Sequence, residues 1–341
     1  MRWLDICVIM ITELGASFLL GRLFIPYLRR LKTGKFDWYL GDRFRTDGSE
    51  PKMGGAVMAA AFLLGMLPLM AALYTKEGAS DDLKTAAACT VFALLIFVVG
   101  AVEDFFKDFR GRRIVLGFGK KLILEFAFSL LLLVYLRLSA GADTLVLMPF
   151  RLGYIQFSVA YYPLTALAMT LVINFFKLHD CFNGNTEDSI GGLCAASAAV
   201  GMMFAAVCSN VLELSAAACF CSCAAAACVG ILIWALHPSK LYIGESGAML
   251  SGVFICCAPL VIGQELLLLM LSLPAAIDFF CAAAHYIIYK RTKKLLLRGA
   301  GLHAHLTAKG WRPYSIILLF LAASAVGGAA AVGFAVYSGR L

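Results

Sequence analysis

Mainly apolar runs, each close to the roughly 20 residues that an α-helix needs to cross a bilayer, recur along the whole chain. Ten are legible, at about 3–26, 54–74, 86–103, 122–141, 159–176, 191–210, 215–236, 247–263, 266–289 and 314–337. Inside hydrocarbon a backbone must satisfy its own N–H and C=O groups, so each run is expected as a helix. Composition agrees: 62% of the residues are hydrophobic and 15% charged, whereas soluble domains are about 45–50% apolar. The expected fold is an all-α integral membrane protein of about ten transmembrane helices. The runs recur too evenly for a domain boundary, so residues 1–341 are expected as a single polytopic membrane domain. The first run is read as a span and not as a signal peptide. It carries Asp5 and Glu13, has only Arg2 ahead of it and shows no small-residue cleavage site before Arg22.

The formal net charge of +8 would suit nucleic acid in a soluble protein, but membrane proteins collect Lys and Arg in cytoplasmic loops. No nucleic-acid partner is expected. Arg29 to Lys52 holds seven Lys/Arg, Lys107 to Lys121 six and Lys290 to Arg312 seven, while the intervening loops hold two or fewer. The charge bias places the basic loops in the cytoplasm and, with an even number of spans, both termini outside. Between the fourth and fifth runs, Thr144 to Phe157 is β-prone, with Pro149 and Gly153 between its halves, and is expected as a short external hairpin. The twelve cysteines fall largely in alanine-rich apolar runs, where they act as small hydrophobes at helix interfaces. Cys219 and Cys223 share a helix face but lack the histidine or second cysteine pair of a zinc site.

Against this background the stretch Asn174-Phe-Phe-Lys177-Leu-His-Asp180-Cys-Phe-Asn183-Gly-Asn-Thr-Glu187-Asp188 stands out. Facing lipid, each charge at the centre of a span costs roughly 2.5–3.5 kcal/mol on insertion scales. The stretch therefore belongs at a membrane edge. Four further clusters share its side: Pro51-Lys52-Met53-Gly54-Gly55, Glu103-Asp104-Phe-Phe-Lys107, Tyr242-Ile-Gly-Glu245-Ser-Gly and Leu302-His303-Ala-His305. A transporter would be expected to place part of such a set near the midplane. One-sided chemistry by catalytic cytoplasmic loops is the better account. Glu103, Asp104 and Lys107 stand at i, i+4 and i, i+3, so the lysine can lie beside both acids on a helix face. His303 and His305 would point apart on a helix and together on an extended loop. Glu125 and Asp278 lie within spans, where an interhelical hydrogen bond is the expected role.

In this order among ten spans, the five clusters resemble the polyprenyl-phosphate sugar-1-phosphate transferases. Within them they most resemble the family of phospho-N-acetylmuramoyl-pentapeptide transferases. The PxMGG after the first span, the paired acids followed by lysine, the asparagine-to-aspartate loop and the GESG after the seventh span are superfamily features. Leu302-His-Ala-His305-Leu with Gly310-Trp311 is similar to the histidine triplet and GW of the muramoyl branch. The chain departs from the pattern at Lys52, Glu103, Lys177, Asn183, Ala235, Glu245 and Ala304.

The resemblance implies a Mg²⁺-dependent enzyme of the bacterial inner membrane that transfers phospho-MurNAc-pentapeptide from its UDP form to undecaprenyl phosphate, releasing UMP and forming the first lipid intermediate of peptidoglycan. It implies Asp104, Asp180 and Glu103 as catalytic residues, with Asp104 deprotonating the lipid phosphate, and Glu245 as the metal ligand. Lys52, Lys107, Lys121, Asn174, Asn183, Tyr242, His303 and His305 are implied as substrate-binding. Tyr242 can stack on uracil or serve as an interfacial aromatic. A homodimer is left open. The remaining readings are a related transferase of another HexNAc-1-phosphate, a substituted paralogue that binds without turnover, and a lipid or nucleotide-sugar transporter.

Overall fold

The computed structural model describes residues 3–30, 53–78, 80–110, 117–140, 145–147, 154–179, 190–236, 239–299 and 301–338. Among the described residues twelve α-helices follow one another: α1 (Trp3–Arg30), α2 (Gly54–Glu77), α3 (Asp81–Arg110), α4 (Phe118–Ala140), α5 (Tyr161–His179), α6 (Leu193–Val211), α7 (Ser215–Ala235), α8 (Gly244–Ile262), α9 (Leu267–Leu271), α10 (Leu273–Thr292), α11 (Leu302–Ala308) and α12 (Pro313–Ser338). Between α4 and α5, β1 (Leu145–Leu147) and β2 (Tyr154–Gln156) pair antiparallel with Val146 opposite Ile155, which is the expected hairpin.

Among the described residues nine helices are long and apolar enough to cross a membrane. Every expected run except 266–289 supplies one of them. That run divides at Ser272 into α9 and α10. Pro274 stands in the first turn of α10, where its missing N–H costs no intrahelical bond and its fixed φ suits a helix start. The pair still runs from one end of the bundle to the other. Gln264, just before α9, bonds Ser338 at the end of α12, while Asp278 in α10 reaches His179 at the end of α5.

α8 and α7 are the interior of the bundle, with 89% and 83% of their apolar windows buried, against 28% in α1 and α4. Small residues make that possible, since lipid offers no hydrophobic drive between helices and close backbone packing must supply the contact. A Cβ on Gly100 of α3 would lie 2.6 Å from the Cα of Ser246, and one on Gly252 of α8 would lie 2.9 Å from the Cα of Ile173 in α5. One on Gly55 of α2 would lie 2.8 Å from the Cα of Gly247. Three helices thus close on α8 at a distance that a methyl group would forbid. Phe62, Phe220 and Phe254 fill the centre, with Phe62 and Phe254 rings 4.7 Å apart.

Candidate active site

The site begins at the first turn of α8, the most enclosed helix. The opening N–H groups of a helix have no partner within it, and here the partner comes from another helix. Asp104, near the end of α3, accepts from the N–H groups of Glu245 at 3.0 Å and Ser246 at 2.8 Å. An anion placed there also meets the positive end of the helix dipole. Gly244 adopts φ +77°, and a Cβ on it would lie 2.8 Å from Asp104 Oδ2, so the turn excludes any side chain at that position. The start of α2 is tied to the same turn. Gly54 and Gly55 donate their N–H groups to the carbonyls of Tyr242 and Ile243, each at 2.8 Å. The two glycine motifs separated by nearly two hundred residues are one backbone junction.

Around that junction stand acids and lysines from four helices. Lys121, in the first turn of α4, lies 2.6 Å from Glu245 Oε1 and is also paired with Glu103. Lys177 of α5 lies 3.3 Å from Glu125 and 3.5 Å from Glu245. Asn174, one turn earlier, donates to Glu125 Oε2. Four carboxyl groups, those of Glu103, Asp104, Glu125 and Glu245, therefore share the space with the ammonium groups of Lys121 and Lys177. The acids differ in access: the side chains of Glu103 and Glu125 are 4% and 0% exposed, that of Glu245 17%. An excess of carboxylates with one partly open suits a hard cation that takes one or two carboxylates and completes its shell with phosphate oxygens and water. Glu245 is the most exposed of the three glutamates and is paired with both lysines.

A second cluster occupies the same end of α5. Lys177 and His179 are two residues apart, about 3 Å along the axis and nearly opposite in direction, so His179 faces away from the acid–lysine cluster. Its Nδ1 meets Asp278 Oδ2 at 3.0 Å and its Nε2 meets Ser197 Oγ at 3.0 Å. His303 reaches the same carboxylate oxygen, while Asp278 Oδ1 accepts from the N–H groups of Leu302 and His303. Residues 302–308 are helical, so His303 and His305 do point apart: His303 is buried and His305 half-buried. His305 Nδ1 accepts the N–H of Arg298 at 3.1 Å. Partial burial, then the positive charges of Lys309 and Arg298, hold its imidazole below the ordinary histidine value.

Of the residues singled out in the sequence, Glu103, Asp104, Lys121, Asn174 and Glu245 come together, and the half-buried Tyr242 abuts them through its backbone. His303 and His305 stand on the other side of α5. Lys52, Asp180 and Asn183 lie outside the described residues, as does the side chain of Lys107 near the end of α3. Glu125 and Asp278 make the interhelical bonds expected of them. Lys177 and His179 were not assigned a role. The signal for them was a lysine at i, i+3 from Asn174 and a histidine at the end of an apolar span, where ionisable groups are rare and paired.

Comparison with known proteins fits this geometry. The glycosyl transferase family 4 profile matches residues 86–263, which carry α3 to α8 and so the whole acid–lysine cluster. The chain is 26% identical over 305 residues to the phospho-N-acetylmuramoyl-pentapeptide-transferase of Caldicellulosiruptor bescii, covering 87% of each chain. It is 26% identical to that of Carboxydothermus hydrogenoformans, over 91% of this chain and 94% of the relative. To that of Pelotomaculum thermopropionicum it is 25% identical, over 96% and 97%. With more than half of its length matched and the acid–lysine cluster inside the match, the chain belongs to glycosyl transferase family 4.

Proposed function

We propose that this protein transfers phospho-MurNAc-pentapeptide from its UDP form to undecaprenyl phosphate, releasing UMP. The coarser part of that statement, a membrane-embedded glycosyl-1-phosphate transferase, follows from the family. The donor and acceptor are our reading, and the names of the relatives support them. The single observation that carries the reading is the cluster of four carboxyl groups and two lysines at one end of the bundle, built from α3, α4, α5 and α8.

In the proposed reaction an oxygen of the lipid phosphate attacks the β-phosphorus of the UDP-sugar. The bond from that phosphorus to the oxygen bridging the α-phosphate breaks, and UMP departs with its electron pair. Two anions must be held in line, which is a matter of positioning and charge. Asp104 takes the proton of a protonated lipid phosphate; Asp104 can do so because each oxygen that accepts an α8 N–H keeps a second lone pair. Lys121 and Lys177 swing their ammonium groups from Glu245 to the incoming diphosphate, as flexible point charges do. Asn174 orients Glu125. Asp180, which directly follows His179, belongs at the reacting centre, as a base in this direct displacement or, in a two-step route, as the nucleophile that takes the β-phosphorus before the lipid phosphate displaces it. His305 faces the sugar side and His303 fixes the loop that carries it. Lys52, Lys107 and Asn183 contact the diphosphate, and Tyr242 stacks on uracil. Glu245 would hold Mg²⁺, which would supply charge neutralisation for the diphosphate oxygens. The charge bias of the loops supports a site on the cytoplasmic side with both termini outside.

The test is purified protein with UDP-MurNAc-pentapeptide, undecaprenyl phosphate and Mg²⁺. UMP release with a lipid-linked product is the expected result. Product from UDP-GlcNAc alone would assign the donor to the neighbouring branch, and nucleotide binding without UMP would make the protein a non-catalytic paralogue.

A further inference from the structure

The cluster on the far side of α5 is chemically unlike the first. It holds two imidazoles and one carboxylate from three separate helices. His179 Nδ1 and His303 Nδ1 lie 3.0 Å and 2.5 Å from Asp278 Oδ2. One ligand atom from each residue lies within 4.8 Å of the other two. The side chains of His179 and Asp278 are 0% exposed and that of His303 4%. We propose that His179, Asp278 and His303 form a binding site for a divalent transition-metal ion, zinc by its chemistry, that ties the end of α5 to α10 and α11.

The donor set selects the ion. Imidazole nitrogen suits zinc and its neighbours, whereas Mg²⁺ prefers an all-oxygen shell. Three protein ligands leave the fourth tetrahedral position to water. Bonds of about 2.0–2.1 Å around a tetrahedral ion set neighbouring ligand atoms about 3.3 Å apart, so each of the two His–Asp pairs, at 3.0 and 2.5 Å, opens by less than about 1 Å to admit one. The surroundings are those of a built site. Metal-ligating side chains are held by hydrogen bonds from their other atoms; here Asp278 Oδ1 accepts the N–H groups of Leu302 and His303, and His179 Nε2 meets Ser197 Oγ at 3.0 Å. Gly301, at φ +120°, lets that backbone approach, since a Cβ on it would lie 2.8 Å from Asp278 Oδ1. Proton balance is simple. Each imidazole stays neutral and moves its N–H from Nδ1 to Nε2, so that His179 donates to Ser197 instead of accepting from it. Two neutral imidazoles and one carboxylate leave a single net positive charge after zinc binds. Asp180 follows His179 directly, so the ion would also fix where the catalytic loop leaves α5. The inference does not depend on the donor or acceptor proposed above.

The experiment loads the full chain in detergent with Zn²⁺, desalts it and counts the metal by mass spectrometry. Wild type is expected to retain about one zinc per chain, and His179→Gln none above background. Zinc should raise the unfolding midpoint of wild type and leave that of the variant unchanged. Because the chain has twelve cysteines, Co²⁺ is substituted as well. Ligation by nitrogen and oxygen gives the visible bands of a four-coordinate ion without thiolate charge-transfer absorption, a readout that stands even if His179→Gln does not fold. No zinc on wild type, equal zinc on wild type and variant, or thiolate charge transfer in the cobalt protein would each overturn the proposal.

Discussion

Asp104 is asked to do two things, and a pair of substitutions separates them. Its carboxylate accepts the N–H groups of Glu245 and Ser246 at 3.0 and 2.8 Å, and it is only 6% exposed. Asp104→Ala leaves both donors without an acceptor. An unsatisfied buried donor costs about 1–3 kcal/mol. Ser246 is 1% exposed and pays in full, whereas Glu245 stands at the open mouth, where water recovers part of the loss. The expected destabilisation is about 2–4 kcal/mol on that basis. Asp104→Asn keeps the shape and one acceptor oxygen, but turns an amide NH₂ toward the other N–H. It should cost about half as much in stability, yet remove the base and lower UMP release by about 10²- to 10⁴-fold. Thermal unfolding in detergent reads the first effect, and UMP release per folded molecule reads the second. If Asp104→Ala unfolds at the wild-type temperature, the account of how α8 is capped is wrong. If Asp104→Asn turns over near the wild-type rate, the proton acceptor lies elsewhere.

Gly55→Ala would bring a methyl group to 2.5 Å from Ser246 Oγ and 2.8 Å from Gly247 Cα, so it should cost about 1–3 kcal/mol by overpacking and lower activity by shifting Glu245. Gly15→Ala, with nothing within 4 Å of its Cβ, should leave both unchanged. Lys177→Met takes the paired ammonium from the carboxyl of Glu125, which is 0% exposed and keeps the neutral amide of Asn174, and should destabilise by about 3–5 kcal/mol; adding Glu125→Gln should recover most of that, and simple additivity of the two would refute the pairing. Burial raises the carboxyl of Glu265, which accepts the hydroxyl of Tyr161 at 2.8 Å, above its ordinary value of 4.5. Its ionisation therefore costs stability as pH rises through the raised value, and full stability is present below the ordinary one. Glu265→Gln should unfold at a higher temperature than wild type at neutral pH, with the gap closing on acidification.

The apolar runs and charge bias made the bundle legible, because a bilayer allows few alternatives. They did not reveal the break at Ser272, because a proline inside an apolar run does not mark one by itself: Pro26, Pro68 and Pro259 lie inside continuous helices, whereas Pro274 opens α10. The PxMGG and GESG stretches were legible as motifs, but their meaning lies in contact: Gly54 and Gly55 bond the carbonyls of Tyr242 and Ile243. The acids and lysines were found by residue type. Their grouping was only half anticipated, since helix direction decides it. Lys177 and His179 are neighbours in the chain, yet they serve clusters on opposite sides of α5. Asp278 was legible as a hydrogen-bonding group. That it would join two histidines from α5 and α11 depends on long-range packing, which no local spacing encodes.

The claim at the centre of this account is that a sugar leaves its nucleotide together with one phosphorus atom and arrives on a lipid phosphate. UDP-MurNAc-pentapeptide carrying labelled phosphorus in the β-position follows that atom directly. With undecaprenyl phosphate and Mg²⁺ the protein should move the label into the lipid phase, and UMP should appear unlabelled. Label that stays in water as UDP, or lipid that acquires sugar without label, would contradict it.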